Sequence, residues 1–448
     1  MNAQNHDSPN ARVQTANLSL LPILAVNFIG TLGYSIVLPF LVFLVTRLGG
    51  NALIYGLMSA TYSVFQLLGA PLLGRWSDIY GRRKVLLFSQ IGTLLSWIIF
   101  LLALFLPTTS LLNIDSTVLG IFTLTLPLCV LFFARALDGI TGGNVSVANA
   151  YLADITEEDH RNENFGKMAV STNLGFILGP ALAGILGATI WGETLPVLAA
   201  LVISFIATLM IAFNLPESKP CLLKKDPEML NVRKIFGQEH KECFAIKSDA
   251  PMTIREILRL ANVRYLMILY FLIFLGFNLF YTAFPIHAVQ GLNWTITDVG
   301  MFFSVLSLMM VIVQGPVLSR ASQRFSDAAL VVVGSLVLAT NFVLLISYNT
   351  LIIYGAAALF ALGNGLMWPS FLSFLSKAAG ERYQGSVQGL GSSLGSVASI
   401  LGLILGGIWY GTLETGVFAL SAVIIFLVAS MSVKLLFLPN GTTEIPVR

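Results

Sequence analysis

The chain has 448 residues, 56% of them hydrophobic and 10% charged, with a mean hydropathy of +0.83. Soluble domains carry about 25% charged residues, so this composition excludes a water-soluble globular protein. Three cysteines (Cys129, Cys221, Cys243) exclude a disulfide framework or a Cys-rich metal site, and a net charge of +3 is too small to argue for nucleic acid.

A spanning helix needs about 20 apolar residues, so the length accommodates a dozen spans and their connections. Residues 1–17 are polar and predict a short tail. The apolar run that follows continues into a full span without a small-residue cleavage site, so the first helix is expected to be retained. Apolar runs between charged or Pro/Gly-rich breaks predict spans at about 18–45, 53–73, 85–106, 126–151, 165–188, 195–215, 264–286, 298–318, 328–347, 350–376, 384–410 and 415–437. Segment 107–125 is apolar but interrupted by Pro107 and Asp115, and is expected to be an outer loop or interfacial helix. With both termini cytoplasmic, all but two of the 25 Lys and Arg (Arg47 and Arg135) fall in cytoplasmic segments, as the positive-inside rule requires. A thirteenth span would place the basic central segment outside.

That segment, 216–263, mixes basic and acidic residues in near balance and separates six spans from six. The sequence therefore predicts an all-α membrane protein of two pseudo-symmetric six-helix bundles, 18–215 and 264–437. A solvated cytoplasmic linker (216–263) joins them, and cytoplasmic tails lie at 1–17 and 438–448. A repeat supports the division. Pro71-Leu-Leu-Gly-Arg75-Trp-Ser77 after span 2 returns as Pro316-Val-Leu-Ser-Arg320-Ala-Ser322 after span 8. Spans 1 and 7 share Leu-Gly-aromatic steps (Leu32 to Tyr34, Leu275 to Phe277), each followed by a proline (Pro39, Pro285). Parallel halves of this kind suit a transporter that rocks two bundles about a central site.

After span 2 the chain reads Gly74-Arg75-Trp-Ser-Asp78-Ile-Tyr-Gly81-Arg82-Arg83-Lys84. Its glycines would allow a tight turn, and Asp78 with Arg82 and Arg83 offers a charge cluster able to latch the bundles. Span 4 carries Arg135-Ala-Leu-Asp138-Gly139-Ile-Thr-Gly142 and ends in Ala153-Asp154-Ile-Thr156. Span 5 carries Gly175-x-x-x-Gly179-Pro180-x-x-x-Gly184. These three motifs resemble the signature loop, the intramembrane-arginine motif and the antiporter motif of the major facilitator superfamily. The second half holds degenerate copies, with Gln323 where Asp78 would repeat. Gly-Ile-Thr-Gly, Ala-Asp-Ile-Thr and the Leu215-Pro-Glu-Ser218 ending resemble the drug/proton antiporters, tetracycline exporters especially. Those exporters place an aspartate in span 1 near the position of Gly30, and this span has no acidic residue.

An ionisable side chain in mid-membrane costs about 2.5–3.5 kcal/mol on insertion scales and is a functional candidate. Arg135 and Asp138 lie well inside the apolar layer, three apart on one helix face. Burial disfavours the charged carboxylate and the neighbouring guanidinium favours it, which suits a proton carrier. Asp138 is the candidate for the coupling proton, with Arg135 tuning it or binding an anionic group. A static ion pair fixing span 4 is the plainer alternative.

Helical spacing groups Asn27, Thr31 and Tyr34 on span 1, Asn278 and Tyr281 on span 7, and Asn364, Trp368 and Phe371 on span 10. The resemblance implies that spans 1, 4, 7 and 10 line a central cavity, making these an aromatic, hydrogen-bonding pocket. It also implies that Asp154 pairs with the signature-loop arginines. The Gly175, Gly179, Pro180, Gly184 ladder would bend span 5 and let backbones approach. His287, beside Pro285, is expected to be a solvated helix-end residue.

No phosphate-binding Gly-Lys-Ser/Thr loop, metal-ligand spacing or Ser-His-Asp set is present, so neither an enzyme nor a bound metal or cofactor is expected. The sequence predicts a proton-coupled exporter of an amphipathic small molecule or drug in an inner or plasma membrane. The alternative is a transporter of a defined metabolite such as an organic anion or siderophore. Expected partners are the small-molecule substrate, protons and the lipid bilayer, with no nucleic acid and the chain as a monomer.

Overall fold

The computed structural model describes residues 19–116, 120–142, 145–156, 161–218, 254–260 and 262–437. The expected tails and most of the linker lie outside these residues. Twelve helices among them are long and apolar enough to cross a membrane. They are α1 (Leu21–Arg47), α2 (Ala52–Tyr80), α3 (Arg82–Ala103), α4 (Leu126–Asp154), α5 (Val170–Gly187), α6 (Thr194–Asn214), α7 (Val263–Gln290), α8 (Ile296–Ser322), α9 (Asp327–Leu344), α10 (Thr350–Ala378), α11 (Val387–Leu413) and α12 (Gly416–Phe437). Each coincides with one expected span.

Helix α3 shows why the chain takes this form. It exposes Phe88, Ile91, Leu95, Ile98 and Leu102 while burying Ser89, Gln90 and Ser96. Apolar residues outward and polar residues inward is the arrangement of a helix surrounded by lipid, where every polar group needs an internal partner. Gln90 finds one by donating to the Ser204 hydroxyl and carbonyl on α6, at 2.9 and 3.3 Å.

The helices pack as two six-helix bundles, α1–α6 and α7–α12. Small residues set the closest approaches. In the first half, Gly139 of α4 lies against the Tyr62 backbone of α2, and Gly92 of α3 against Thr141 of α4. In the second, Gly334 of α9 faces Gly363 of α10, and Gly402 and Gly406 of α11 face Asn278 and Thr282 of α7. Proline shapes several helices. The regular helix of α1 is interrupted next to Ile36, because Pro39 cannot donate to the Ser35 carbonyl four residues back. In α8, Pro316 sits in a π-helical turn, Val313–Val317.

Segment 107–125 is neither loop nor helix in its main part. Ser110–Ser116 (β1) and Gly120–Thr125 (β2) pair antiparallel as a hairpin. Leu112, Ile114, Phe122 and Leu124 interleaved with Asn, Asp and Thr form the period-two pattern of a strand, which the proline-and-aspartate reading overlooked. The hairpin clasps the turn between α1 and α2: the Thr123 amide donates to the Gly49 carbonyl at 2.9 Å and the Thr125 hydroxyl to the Leu48 carbonyl at 2.9 Å. It marks one face of the protein, and the signature loop marks the other.

The halves touch toward the hairpin face. Gly56 of α2 meets Gly407 of α11, and Gly184 of α5 meets Gly300 of α8. Deeper along the second pair, the Asn173 amide donates to Gln314 at 3.3 Å.

Candidate functional site

Arg135 and Asp138 are both buried, on the face of α4 that meets α2 and α3. Their charges are 3.5 Å apart, from Nη1 to Oδ2, longer than the 2.7–2.9 Å of a well-made charged hydrogen bond. The guanidinium lies over the Tyr62 ring of α2, 4.7 Å from its centre, while its Nε has no partner among the described residues. Thr93 of α3 stands beside the Asp138 carboxyl. Between α3 and α4 a cavity about the size of one water molecule is lined by Ser96, Trp97, Phe100, Ala134, Arg135 and Asp138. This is a loosely made ion pair with room beside it, on a helix held in place by glycine contacts.

Tyrosines surround the pair. Tyr34 of α1 lies 5.0 Å from the Tyr62 ring and 6.2 Å from Phe176 of α5. The hydroxyls of Tyr34, Tyr55 and Tyr62 all fall within electrostatic reach of Arg135, and Tyr281 of α7 within reach of Tyr34. Tyr281 keeps 37% of its surface exposed, so the second half also contributes. Tyr55 and Tyr62 were missing from the expected set. They stand seven apart on α2, one helix face, in a span read only for the motif at its end.

The other expected cavity residues are not brought to this place. Asn27 donates to the Met168 carbonyl (3.2 Å) and to the Ser171 and Thr172 hydroxyls (2.6 and 2.8 Å), which ties α1 to α5. Thr31 donates to the Asn27 carbonyl at 2.9 Å and abuts Gly175. Asn278 donates to the Phe274 carbonyl and the Ser399 hydroxyl at 2.7 and 2.9 Å, tying α7 to α11. In this structure these three tie helices together, because an amide or hydroxyl withdrawn from water must find partners where it lies. Trp368 and Phe371 stack together against Tyr270, with Phe371 fully buried. Asn364 donates weakly to the Met310 sulfur at 3.9 Å and leaves its Oδ1 without a partner.

The signature motif is mostly helix. Gly74 and Asp78 lie within α2, and Gly81 alone makes the turn, with φ at +97°. Arg82 bonds Asp78 (2.6 Å), Asp154 of α4 (3.2 Å) and the Ser77 hydroxyl (2.6 Å). Arg83 donates to the Ile211 and Ala212 carbonyls of α6. Among the described residues these contacts lie within the first half, where the sequence suggested a bridge between the halves. Glu217, absent from the expected set, accepts from the Arg82 and Arg83 amides at 2.8 and 3.3 Å. The Ser218 hydroxyl donates to Asp154 at 3.0 Å.

The antiporter ladder divides. Gly175 and Gly179 pack on α1, at Thr31 and Ser35, and Gly184 meets Gly300 of the other half. Pro180 is buried between them. His287 is wholly buried, not solvated, because α7 continues a turn beyond Pro285 to Gln290.

The sequence model of the Major Facilitator Superfamily matches residues 23–403 and 266–447. A class C tetracycline resistance protein of Escherichia coli is 28% identical over 399 residues, covering 87% of this chain and 89% of that protein. Multidrug resistance protein 2 of Bacillus subtilis (strain 168) is 25% identical, covering 86% of each chain. Among solved structures, the human organic anion transporter MFSD10 (TETRAN) superposes with a TM-score of 0.62 at 22% identity, covering 94% of this chain and 99% of that one. A D-xylose–proton symporter superposes with a TM-score of 0.70 at 13% identity, covering 94% and 98%.

Proposed function

Because this chain belongs to the major facilitator superfamily and is a membrane transporter rather than an enzyme, we propose that it exports an amphipathic small molecule or drug in exchange for protons. Its tetracycline- and multidrug-resistance relatives support the substrate class. The positive-inside count supports a signature-loop face toward the cytoplasm, with both termini on that side and the hairpin outside. On that orientation the contacts at Gly56–Gly407 and Gly184–Gly300 close the outer side, so this arrangement faces inward. The six-helix halves are taken as 18–215 and 264–437, joined by 216–263 and flanked by tails 1–17 and 438–448, in a monomer of an inner or plasma membrane.

The observation that carries the mechanism is the loose Arg135–Asp138 pair with space beside it. A carboxylate 3.5 Å from its counter-charge sits near the balance between desolvation and attraction, so small changes in water access switch its protonation. Asp138 takes up the coupling proton, and Arg135 then loses its counter-charge and turns to Tyr62 or the substrate. Tyr34, Tyr62 and Tyr281 supply ring faces and hydroxyls for an amphipathic ligand, with Asn364, Trp368 and Phe371 acting from farther along α10. Gly74, Asp78, Gly81, Arg82, Arg83 and Asp154 brace the inner end of the first half. Gly175, Gly179, Pro180 and Gly184 shape α5. Asn27, Thr31 and Asn278 hold the lining helices in register.

Inside-out vesicles holding a proton gradient test this. Adding candidate cations, anions and neutral drugs should collapse the gradient with wild-type protein and leave it intact with Asp138→Asn. If both proteins respond alike, Asp138 is structural. A second reading, export of an organic anion, is favoured by the unpartnered Arg135 Nε. It predicts that an anionic compound gives the response and that Arg135→Gln removes it.

A further inference from the structure

His287 is a titratable side chain that the Arg135–Asp138 site does not use. It lies in the last turn of α7 and is enclosed by aromatic rings from three other elements. The rings of Tyr410 (α11), Phe418 (α12) and Tyr348 (between α9 and α10) have their centres 6.2, 5.5 and 5.1 Å from the imidazole. Its Nδ1 is 3.2 Å from the Tyr410 hydroxyl, whereas its Nε2 makes no hydrogen bond among the described residues. The Ser347 backbone approaches the ring, and on α7's own side Gly291 sits against it. The titratable groups here are thus Tyr348 and Tyr410, with α12 contributing the Phe418 ring. Glu414, four residues beyond Tyr410, acts on the Tyr410 hydroxyl.

This enclosure backs onto the contact between the halves. Helices α7 and α11 run side by side, with Gly402 against Asn278, Gly406 against Thr282 and Tyr410 against His287. Gly407, one turn before Tyr410, presents its other side to α2, where a side-chain carbon would come 3.2 Å from the Gly56 Cα. A displacement of Tyr410 is therefore passed to the place where the two halves meet.

We propose that His287 is a second proton-binding site, loaded from the hairpin side, whose protonation releases the Gly56–Gly407 contact and opens that side. A neutral imidazole has one N–H and one accepting nitrogen, so Tyr410 serves one of them and the other is left over. A protonated ring donates from both. Tyr410 must then accept, and the second N–H must be taken up by the Ser347 backbone, which already acts on the ring although Nε2 makes no hydrogen bond among the described residues. Meeting both demands draws the ring toward the α9–α10 connection and moves α11 with it. The direction "outside" rests on the orientation proposed above, but nothing here requires Asp138 to carry the coupling proton.

The chain has four histidines, so Gln at 6, 160 and 240 leaves one imidazole to observe. In lipid vesicles, ring-15N nuclear magnetic resonance should show His287 taking up a proton as the pH is lowered. Spin labels at Asp115→Cys and Thr412→Cys, in a background without the native cysteines, should move apart over the same pH range. His287→Gln should remove that separation, and Tyr410→Phe, which keeps the ring, should shift its midpoint. Asp138→Asn should leave the separation in place, which distinguishes this site from the coupling site. The proposal is overturned by an imidazole that stays neutral throughout. It is equally overturned by a His287→Gln protein of unchanged melting temperature that opens with the wild-type pH profile.

Discussion

Arg82 opens α3 in the first half, and Asp327 opens α9 in the second, 245 residues later. That is the offset separating Pro71 from Pro316, so the same position of the repeat carries opposite charges. Each finds its partner at the far end of the next helix: Arg82 reaches Asp154 of α4 at 3.2 Å, and Asp327 accepts from Lys377 of α10 at 2.6 Å and from Ser373 at 2.8 Å. The repeat has kept the joint between two helix ends while exchanging its poles. The exchange has consequences. A cation at a helix N-terminus opposes the macrodipole, and the first half offsets this with Glu217 on the Arg82 and Arg83 amides. Asp327 suits its helix end unaided. The first joint is buried, with Arg82 and Asp154 side chains 8% and 11% exposed; Lys377 in the second is 69% exposed.

Unequal burial predicts unequal cost. Arg82→Ala removes the cation that Asp78 and Asp154 share and should destabilise the first half by about 2–4 kcal/mol, read as a fall in melting temperature in detergent together with loss of vesicle transport. Glu217→Ala removes only the carboxylate at the α3 terminus. A loss of about 1 kcal/mol is expected, with Glu217→Gln milder and transport slowed rather than abolished. Lys377→Ala should cost less than about 1 kcal/mol and leave transport near wild type. If Lys377→Ala proves as damaging as Arg82→Ala, the two joints are equivalent and burial is not what separates them.

The span count and the two halves could be read from local pattern in the sequence, and the Arg82–Asp154 partnership from what the family resemblance implies. Glu217 could not, since it reaches the α3 terminus from 135 positions away. Asn27, Thr31 and Asn278 show the converse. Helical spacing gives the face on which a residue sits but not whether the neighbouring helix already satisfies it. Tyr62 was passed over because α2 was valued for its terminal motif, and only packing reveals its ring beneath Arg135. His287 was misjudged because Pro285 suggested a helix end, when the enclosing rings come from three distant segments.

The β-hairpin has a practical consequence. The paired charges are 72 residues apart in the first half and 50 in the second, and the first interval is the one that holds the hairpin. Two nearly matched bundles are hard to orient in electron images, because each can be mistaken for the other after half a turn. A two-stranded hairpin fastened to Gly49 and Leu48, and present in one half alone among the described residues, removes that ambiguity. An antibody fragment gripping the strands would serve as a fiducial mark travelling with α1 and α2, so that every image states which half is which.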